Sequence, residues 1–79
     1  MNPNSILNWF FYHMLEHQFS NDRREMALQL RVSERTLEGA MDDEKPAEIA
    51  LLFEQLLGYS VEHDICVDDI LAEYKRVQR

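Results

Sequence analysis

The chain has few of the residues that form disulfides or turns, with one cysteine, two glycines and two prolines among 79 residues. A single cysteine, Cys66, excludes an internal disulfide and favours a reducing, cytoplasmic location. So few glycines and prolines leave few turn signals, which argues against a many-stranded sheet. The longest purely apolar run, Trp9 to Tyr12, is too short to cross a bilayer, and no basic segment precedes it. We therefore expect neither a membrane helix nor a signal peptide.

Positive charge is also scarce. Eight Lys and Arg residues against fifteen Asp and Glu residues give a net charge of −7. Because neutralising phosphates supplies much of the affinity for nucleic acid, this balance weakens a DNA-binding interpretation. The acid is unevenly spread, however: residues 46–79 hold three basic and seven acidic side chains, and residues 23–45 hold five and six. The middle third is nearly neutral, so DNA binding is not excluded.

Helical periodicity is the strongest positive feature of the sequence. Apolar residues make up 46% of the chain and charged residues 29%, as expected for one globular domain over residues 1–79. Apolar side chains recur at three- and four-residue spacing, and residues that cap helices precede these segments. The predicted helices cover residues 5–18, 23–30, 34–41, 46–57 and about 68–77, with a short helical turn at 61–65. We therefore expect an all-α bundle of five or six helices.

Specific residues set the predicted helix ends. Asn4 or Ser5 caps the first helix, Gly58 ends the fourth in a left-handed conformation, and Ser60 and Asp68 cap the two segments that follow. The second and third helices have a more specific pattern, because only three residues separate them. Two helices that cross so closely need a small residue where they touch, and Ala27 meets that need.

Residues 22–65 resemble the helix-turn-helix domain of the phage repressor and Cro type, the Xre-like family. The resemblance rests on Ala27, on Val32 and Ser33 at the turn, on Pro46 opening the fourth helix and on the segment Leu56 to Val61. It implies a lambda-repressor-like fold with the motif at about residues 22–41, and residues 68–77 as a C-terminal extension helix. Arg31 departs from the family, which prefers a left-handed glycine at this place.

The same resemblance implies a set of DNA contacts. Arg23 at the start of the second helix and the cap Ser33 would meet backbone phosphate, while Glu34 and Arg35 would read base edges in the major groove. Gly39 falls at a further reading position, one turn on. The predicted DNA-binding residues are Arg23, Arg24, Ser33, Glu34, Arg35, Thr36 and Glu38. The alternative for these arginines is surface ion pairing with nearby acidic residues.

Two histidine patterns suggest metal binding only weakly. Residues 13–17 match H-x-x-E-H, a zinc-hydrolase pattern, but a short match is common by chance and a catalytic site needs a third ligand and a cleft. His63 and Cys66 would make half a metal site, with no partner pair in the sequence. We therefore expect no metal, no cofactor and no enzymatic activity.

The aromatic run in the first helix has three interpretations. Its residues form the core, or part of the run is a homodimer surface, or the last helix folds back and covers it. The homodimer interpretation depends on Asn8, Trp9 and Tyr12, which stand where the family usually carries outward charges.

Two functions remain open. The first is a DNA-binding transcriptional regulator, dimeric through the first helix. The second is an acidic helix-turn-helix-fold interaction module that does not bind DNA itself and acts as an antagonist or accessory factor of another regulator.

Overall fold

The structure, a computed structural model, describes residues 5–77. These residues form five helices and, within that range, no strand: α1 (Ser5–Phe19), α2 (Arg23–Leu30), α3 (Glu34–Met41), α4 (Pro46–Glu62) and α5 (Val67–Val77). The all-α prediction is confirmed, with five helices. Asn4, one of the two predicted caps of α1, lies outside the described residues. None of the helices within residues 5–77 combines the length and apolar character needed to span a membrane.

Local backbone chemistry ends α1 and starts α2. Ser20 and Asn21 adopt positive φ angles of 52° and 61°, and the Asn21 N–H donates to the Leu15 carbonyl at 2.9 Å. This left-handed pair closes the end of α1 and turns the chain back. The Asp22 carboxylate then accepts the Glu25 N–H at 3.2 Å and so caps the start of α2.

The link between α2 and α3 is three residues long and is held by hydrogen bonds to both helices. Arg31 takes the left-handed conformation, with φ 58° and ψ 40°, and the Val32 N–H donates to the Ala27 carbonyl at 3.0 Å. Ser33 then caps α3 by accepting the Thr36 N–H at 3.0 Å. The predicted serine cap is confirmed, and Arg31 takes the left-handed conformation although it stands where the family prefers glycine.

The first four helices, α1, α2, α3 and α4, share one hydrophobic core. Phe10, Phe11, Leu37, Leu52 and Leu56 have essentially no exposed surface. Full burial of each such side chain contributes about 1.5–3 kcal/mol. The remaining core members are Met14, Leu15, Phe19, Met26, Ala27, Leu30, Ala40, Met41 and Ile49. Val32 and Phe53 are half-buried and pack against this core.

Helix α4 runs past the predicted stop at Gly58, so the separate helical turn at 61–65 is wrong. No glycine has a positive φ, and the chain turns only at Asp64, with φ 55°. A glycine inside a helix costs about 1 kcal/mol, which continued packing of the last α4 turns outweighs. Ser60 is therefore no cap but a buried helical residue. Asp68 also lies inside the first turn of α5 rather than ahead of it.

Helix α5 folds back against α1, the third interpretation of the aromatic run. Trp9 packs edge-to-face on Tyr74, with ring centroids 5.4 Å apart. On the neighbouring side of α1, the Asn8 amide donates to the Met41 carbonyl at 3.2 Å, and the Tyr12 hydroxyl donates to Asp42 at 2.6 Å. The residues that suggested a homodimer surface therefore contact α5 or the end of α3.

Candidate nucleic-acid interface

The outward surface of α3 is formed near its first turn. Glu34, Arg35 and Glu38 are exposed and Thr36 is half-buried, while the rest of the helix faces the core. These predicted site residues therefore share one accessible surface. It carries two acidic side chains and one basic side chain, a pattern suited to selective polar contacts rather than to general attraction of phosphate.

The Ser33 hydroxyl is occupied twice within the chain. It accepts the Thr36 N–H at 3.0 Å and donates its proton to Thr36 Oγ1 at 2.9 Å. A phosphate at this point would have to draw that proton away from Thr36. The backbone N–H groups of Glu34 and Arg35 are better donors, because, unlike the capped Thr36 N–H, they have no partner among the described residues and lie at the positive end of α3.

Three arginines near the start of α3 keep their charge available. Arg24 is strongly exposed and lies 3.9 Å from the Glu34 carboxylate, a loose surface contact. The side chains of Arg31 and Arg35 are exposed and make no hydrogen bond or ion pair with another residue in the described range. Arg24, Arg31 and Arg35 are thus exposed on α2, on the turn and on α3, and a DNA contact was predicted for Arg24 and Arg35.

Arg23 differs, because its guanidinium is already bound. Nη1 contacts Asp42 Oδ2 at 2.6 Å and Nη2 contacts Oδ1 at 3.3 Å, while Nη2 also donates to the Tyr12 hydroxyl at 3.0 Å. The hydrogen bond from Arg23 lowers the pKa of the Asp42 carboxyl, with a further contribution from Tyr12. The bond to Asp42 in turn raises the pKa of Arg23 and, together with burial, that of Tyr12. A phosphate contact by Arg23 would have to compete with this carboxylate.

Gly39 does not occupy an accessible reading position. It is buried, and a β-carbon built on it would lie 3.0 Å from Cγ of Glu48 and 3.5 Å from Cδ of Lys45. The glycine allows the start of α4 to approach α3 closely. The family-based assignment of Gly39 as a base reader is therefore wrong for this chain.

The local charge balance of the interface is neutral. Residues 22–41 contain four arginines and four acidic residues, so the whole excess of −7 lies elsewhere in the chain. Long-range attraction of DNA is therefore weak, and any binding depends on short-range contacts at the start of α3.

The histidine patterns form aromatic stacks. His13 lies flat on Trp9, with ring centroids 4.9 Å apart and planes within 6°, and His17 is 4.3 Å from His13. His63 stacks on Tyr59 at 4.0 Å. Within residues 5–77, no group of three or more histidine, cysteine or acidic side chains is arranged to hold a metal.

Comparison with protein families, with curated proteins and with solved structures finds no match to this chain. The similarity to phage repressor and Cro domains therefore stays a resemblance carried by individual residues.

Proposed function

We propose that this protein is a DNA-binding transcriptional regulator in which α2 and α3 act as a helix-turn-helix and the start of α3 enters the major groove. The observation that carries the proposal is the exposure of three arginines, Arg24, Arg31 and Arg35, on the two helices and the turn that meet at the start of α3. Exposed arginines beside the backbone N–H groups at a helix N-terminus suit contacts with duplex DNA.

The three arginines have different roles in this proposal. Arg35, on α3 itself, bonds bidentately to the O6 and N7 atoms of a guanine, and Glu34 accepts from a cytosine amino group. Arg24 and Arg31 lie on α2 and on the turn, so they contact phosphates that flank the groove. Arg23 chiefly holds α2 to the end of α3 and contributes to phosphate binding only when it releases Asp42.

Electrostatics limit the strength of binding. Two or three phosphate contacts give a salt dependence with a slope of about −2 to −3, which is shallow for a DNA-binding domain. The acidic remainder of the chain repels phosphate, so non-specific binding falls at or beyond the weak end of the ~10⁻⁴–10⁻⁶ M range. Recognition therefore depends on base contacts by α3 more than on charge.

The test is selection of a preferred duplex from a random pool at low salt, followed by titration of variants. Arg35→Ala should lose about 1–3 kcal/mol on the selected site and flatten discrimination at one base position. Arg76→Ala is the matched control, since it removes an exposed arginine from α5, far along the chain from the motif. A selected duplex bound no better than random DNA, or an Arg35→Ala variant with unchanged binding, would contradict the proposal.

Dimerisation through α1 is a separate part of the proposal. A two-fold operator needs two copies of α3, but Trp9 is now partly covered by Tyr74, and Tyr12 is bonded to Asp42. The available α1 surface is thus smaller than the sequence suggests. Sedimentation of the protein at ~100 μM, with Trp9→Glu for comparison, tests for dimerisation through α1. A stable dimer should form below that concentration.

The second candidate is the acidic interaction module. One observation favours it: Arg23, which the resemblance assigns to phosphate, is neutralised by Asp42. A chain that binds no duplex but keeps its fold would support this candidate over the regulator.

A further inference from the structure

Helix α4 carries an exposed apolar surface that nothing else in the described part of the chain covers. Leu51, Leu57 and Val61 are 43%, 37% and 78% exposed, and Gly58 lies among them. We call the surface formed by Leu51, Glu54, Leu57, Gly58 and Val61 the α4 face. It extends over the eleven residues 51–61, or about 15 Å of helix. Exposed apolar side chains grouped along one helix mark an interaction surface more often than an accident of sequence.

Gly58 has no role in the packing of this domain. A β-carbon built on it meets no atom within 4 Å, and its φ is not positive. A glycine inside an exposed helix costs about 1 kcal/mol relative to alanine, so the residue is unfavourable for the isolated fold. Its benefit lies in close approach: a helix that packs on α4 at Gly58 can bring its backbone nearer than any side chain would permit.

A groove connects the α4 face to the end of α2. It has a volume of about 340 Å³, with Leu28, Gly58, Tyr59 and His63 among its lining residues. Leu28 is 70% exposed, and its apolar side chain therefore extends the surface beyond α4 itself. Polar residues, Gln29, Arg31, Gln55 and Glu62, also line the groove, so Leu28 gives a partner on α4 a single apolar contact on that side of Gly58.

The α4 side of this surface carries only acidic charges, whereas Arg31 lies at the α2 end of the groove. Glu54 lies within the α4 face and Glu62 borders the groove, while Arg31 is the groove's single arginine or lysine. No residue of α4 is basic. Two copies of a chain with net charge −7 would place like charges against each other here, which opposes self-association. A partner with apolar and basic residues on one side is the complementary match.

We infer that the α4 face docks a basic amphipathic helix of another protein, which packs its apolar stripe over Gly58 and places lysine or arginine side chains beside Glu54 and Glu62. A helix fits the length and convexity of the surface, and the described residues offer no strand edge to which an extended peptide could add. This site is centred on α4 rather than on the start of α3, and Arg31, at the edge of the groove, is the residue that it shares with the proposed DNA interface.

The test uses a synthetic peptide of about 18 residues, a ~27 Å helix, with leucines on one face and lysines on the other. Two control peptides share its length, one with the same composition scrambled and one with glutamate in place of lysine. The isotope-labelled full chain is titrated with each peptide and followed by NMR. Amide shifts should concentrate at residues 51–61 for the Leu/Lys helix and be absent for both controls.

Gly58→Leu is the decisive variant, because the open space at this position lets it fold. Placing a side chain there should weaken binding of the Leu/Lys helix roughly tenfold, the loss expected when a central contact of an interface is blocked. Ala72→Leu is its matched control, an equal enlargement of an exposed position on α5, and should bind as the parent does. Glu54→Gln should weaken binding, whereas Asp69→Asn on α5 should not.

Three results would overturn the inference. One is equal binding of the glutamate peptide, another is unchanged affinity in Gly58→Leu, and the third is a shift pattern outside the α4 face. Self-association abolished by Gly58→Leu would assign the surface to a second copy and contradict the inference as well. Arg35→Ala should leave peptide binding intact, so the docking of a helix on α4 is tested independently of DNA binding.

Discussion

Arg23, the first residue of α2, donates two hydrogen bonds of 2.6 and 3.3 Å to Asp42, the residue that follows α3. Tyr12 of α1 joins the pair, with its hydroxyl donating to Asp42 and its ring 5.6 Å from the guanidinium carbon. Three helices are therefore tied at one point on the surface. The contact fixes where α3 ends relative to α2, and with it the position of the proposed DNA-reading surface.

The ion pair should make a small but measurable contribution to stability. Both side chains are more than a third exposed, so solvent screening limits the coupling to about 0.5–1 kcal/mol despite the short distances. A double-mutant cycle with Arg23→Ala and Asp42→Ala, read by chemical denaturation, measures it. The cycle of Arg24→Ala with Glu34→Ala, a pair at 3.9 Å, is the control and should give less. Equal coupling in the two cycles would show that the network does not tie the helices.

Local chemistry explains why the link between α2 and α3 could be predicted from the sequence. Ser33 is a cap because its hydroxyl reaches an N–H three residues on, a contact decided within one turn. Ala27 is small because two helices cross after a three-residue link, and Arg31 takes the left-handed geometry that such a link demands. Each of these depends only on neighbours in the sequence.

The features that the sequence did not predict depend on distant residues. Arg23 and Asp42 are 19 positions apart, and Asp42 read simply as part of a polar connection. Gly58 looked like a helix end because a glycine followed the last apolar pair, but only packing decides whether a helix stops there. The burial of Gly39 likewise depends on Glu48 across the α3–α4 contact.

The two glycines should respond differently to substitution by alanine. Gly58→Ala adds a methyl group in open space, so the helix gains about 1 kcal/mol of stability. Gly39→Ala gains the same propensity but places its β-carbon 3.0 Å from Glu48 Cγ, and the displacement of that side chain offsets the gain. Thermal or denaturant unfolding should rank Gly58→Ala clearly above Gly39→Ala. The reverse order would contradict the close approach of α3 and α4 at Gly39.

Ser60 should tolerate the loss of its hydroxyl. The side chain is 1% exposed, and its Oγ has no hydrogen-bond partner within the described residues. Ser60→Ala removes a buried unpaired polar atom at nearly constant shape and should raise the free energy of unfolding by up to about 1 kcal/mol. Ser33→Ala is the contrasting variant and should lower it by about 1 kcal/mol through loss of the α3 cap. A destabilised Ser60→Ala would mean that the hydroxyl has a bonding role.

Stability should decline as the pH falls below neutral, because of His13. Burial between Trp9 and α5, followed by the nearby charge of His17, lowers the pKa of His13 from its ordinary value of 6.5. Both the folded and unfolded states are neutral at this position above pH 6.5, so stability is unaffected there. Below it the unfolded state takes up the proton first, and stability is lost until the folded-state pKa is passed.

Denaturant unfolding at a series of pH values between 7 and 5 measures this slope, and His13→Gln should flatten it. His63→Gln, which removes an imidazole from a different helix, is the control and should retain the slope that His13 gives. An unchanged slope in His13→Gln would show that the His13 ring is not held neutral by its surroundings.

Asp42 affects stability at lower pH than His13 does. Its lowered pKa adds stability above the ordinary value of 3.8, and that stability is lost as the pH falls through the folded-state pKa.

Arg31→Gly should separate the demands of folding from those of DNA binding. The left-handed conformation of Arg31 costs a residue with a β-carbon roughly 1–2 kcal/mol, and glycine removes that cost while making the unfolded chain more flexible. We therefore expect a net gain of about 0.5–1 kcal/mol in the free energy of unfolding. Arg31→Ala keeps the strain and loses the charge, so its stability should stay near that of the parent.

If Arg31 contacts phosphate, both variants should weaken binding of all duplexes alike and reduce the salt slope by about one unit. Greater stability with weaker DNA binding in Arg31→Gly would explain why an arginine stands where the fold favours glycine. Greater stability with unchanged DNA binding would remove Arg31 from the proposed interface.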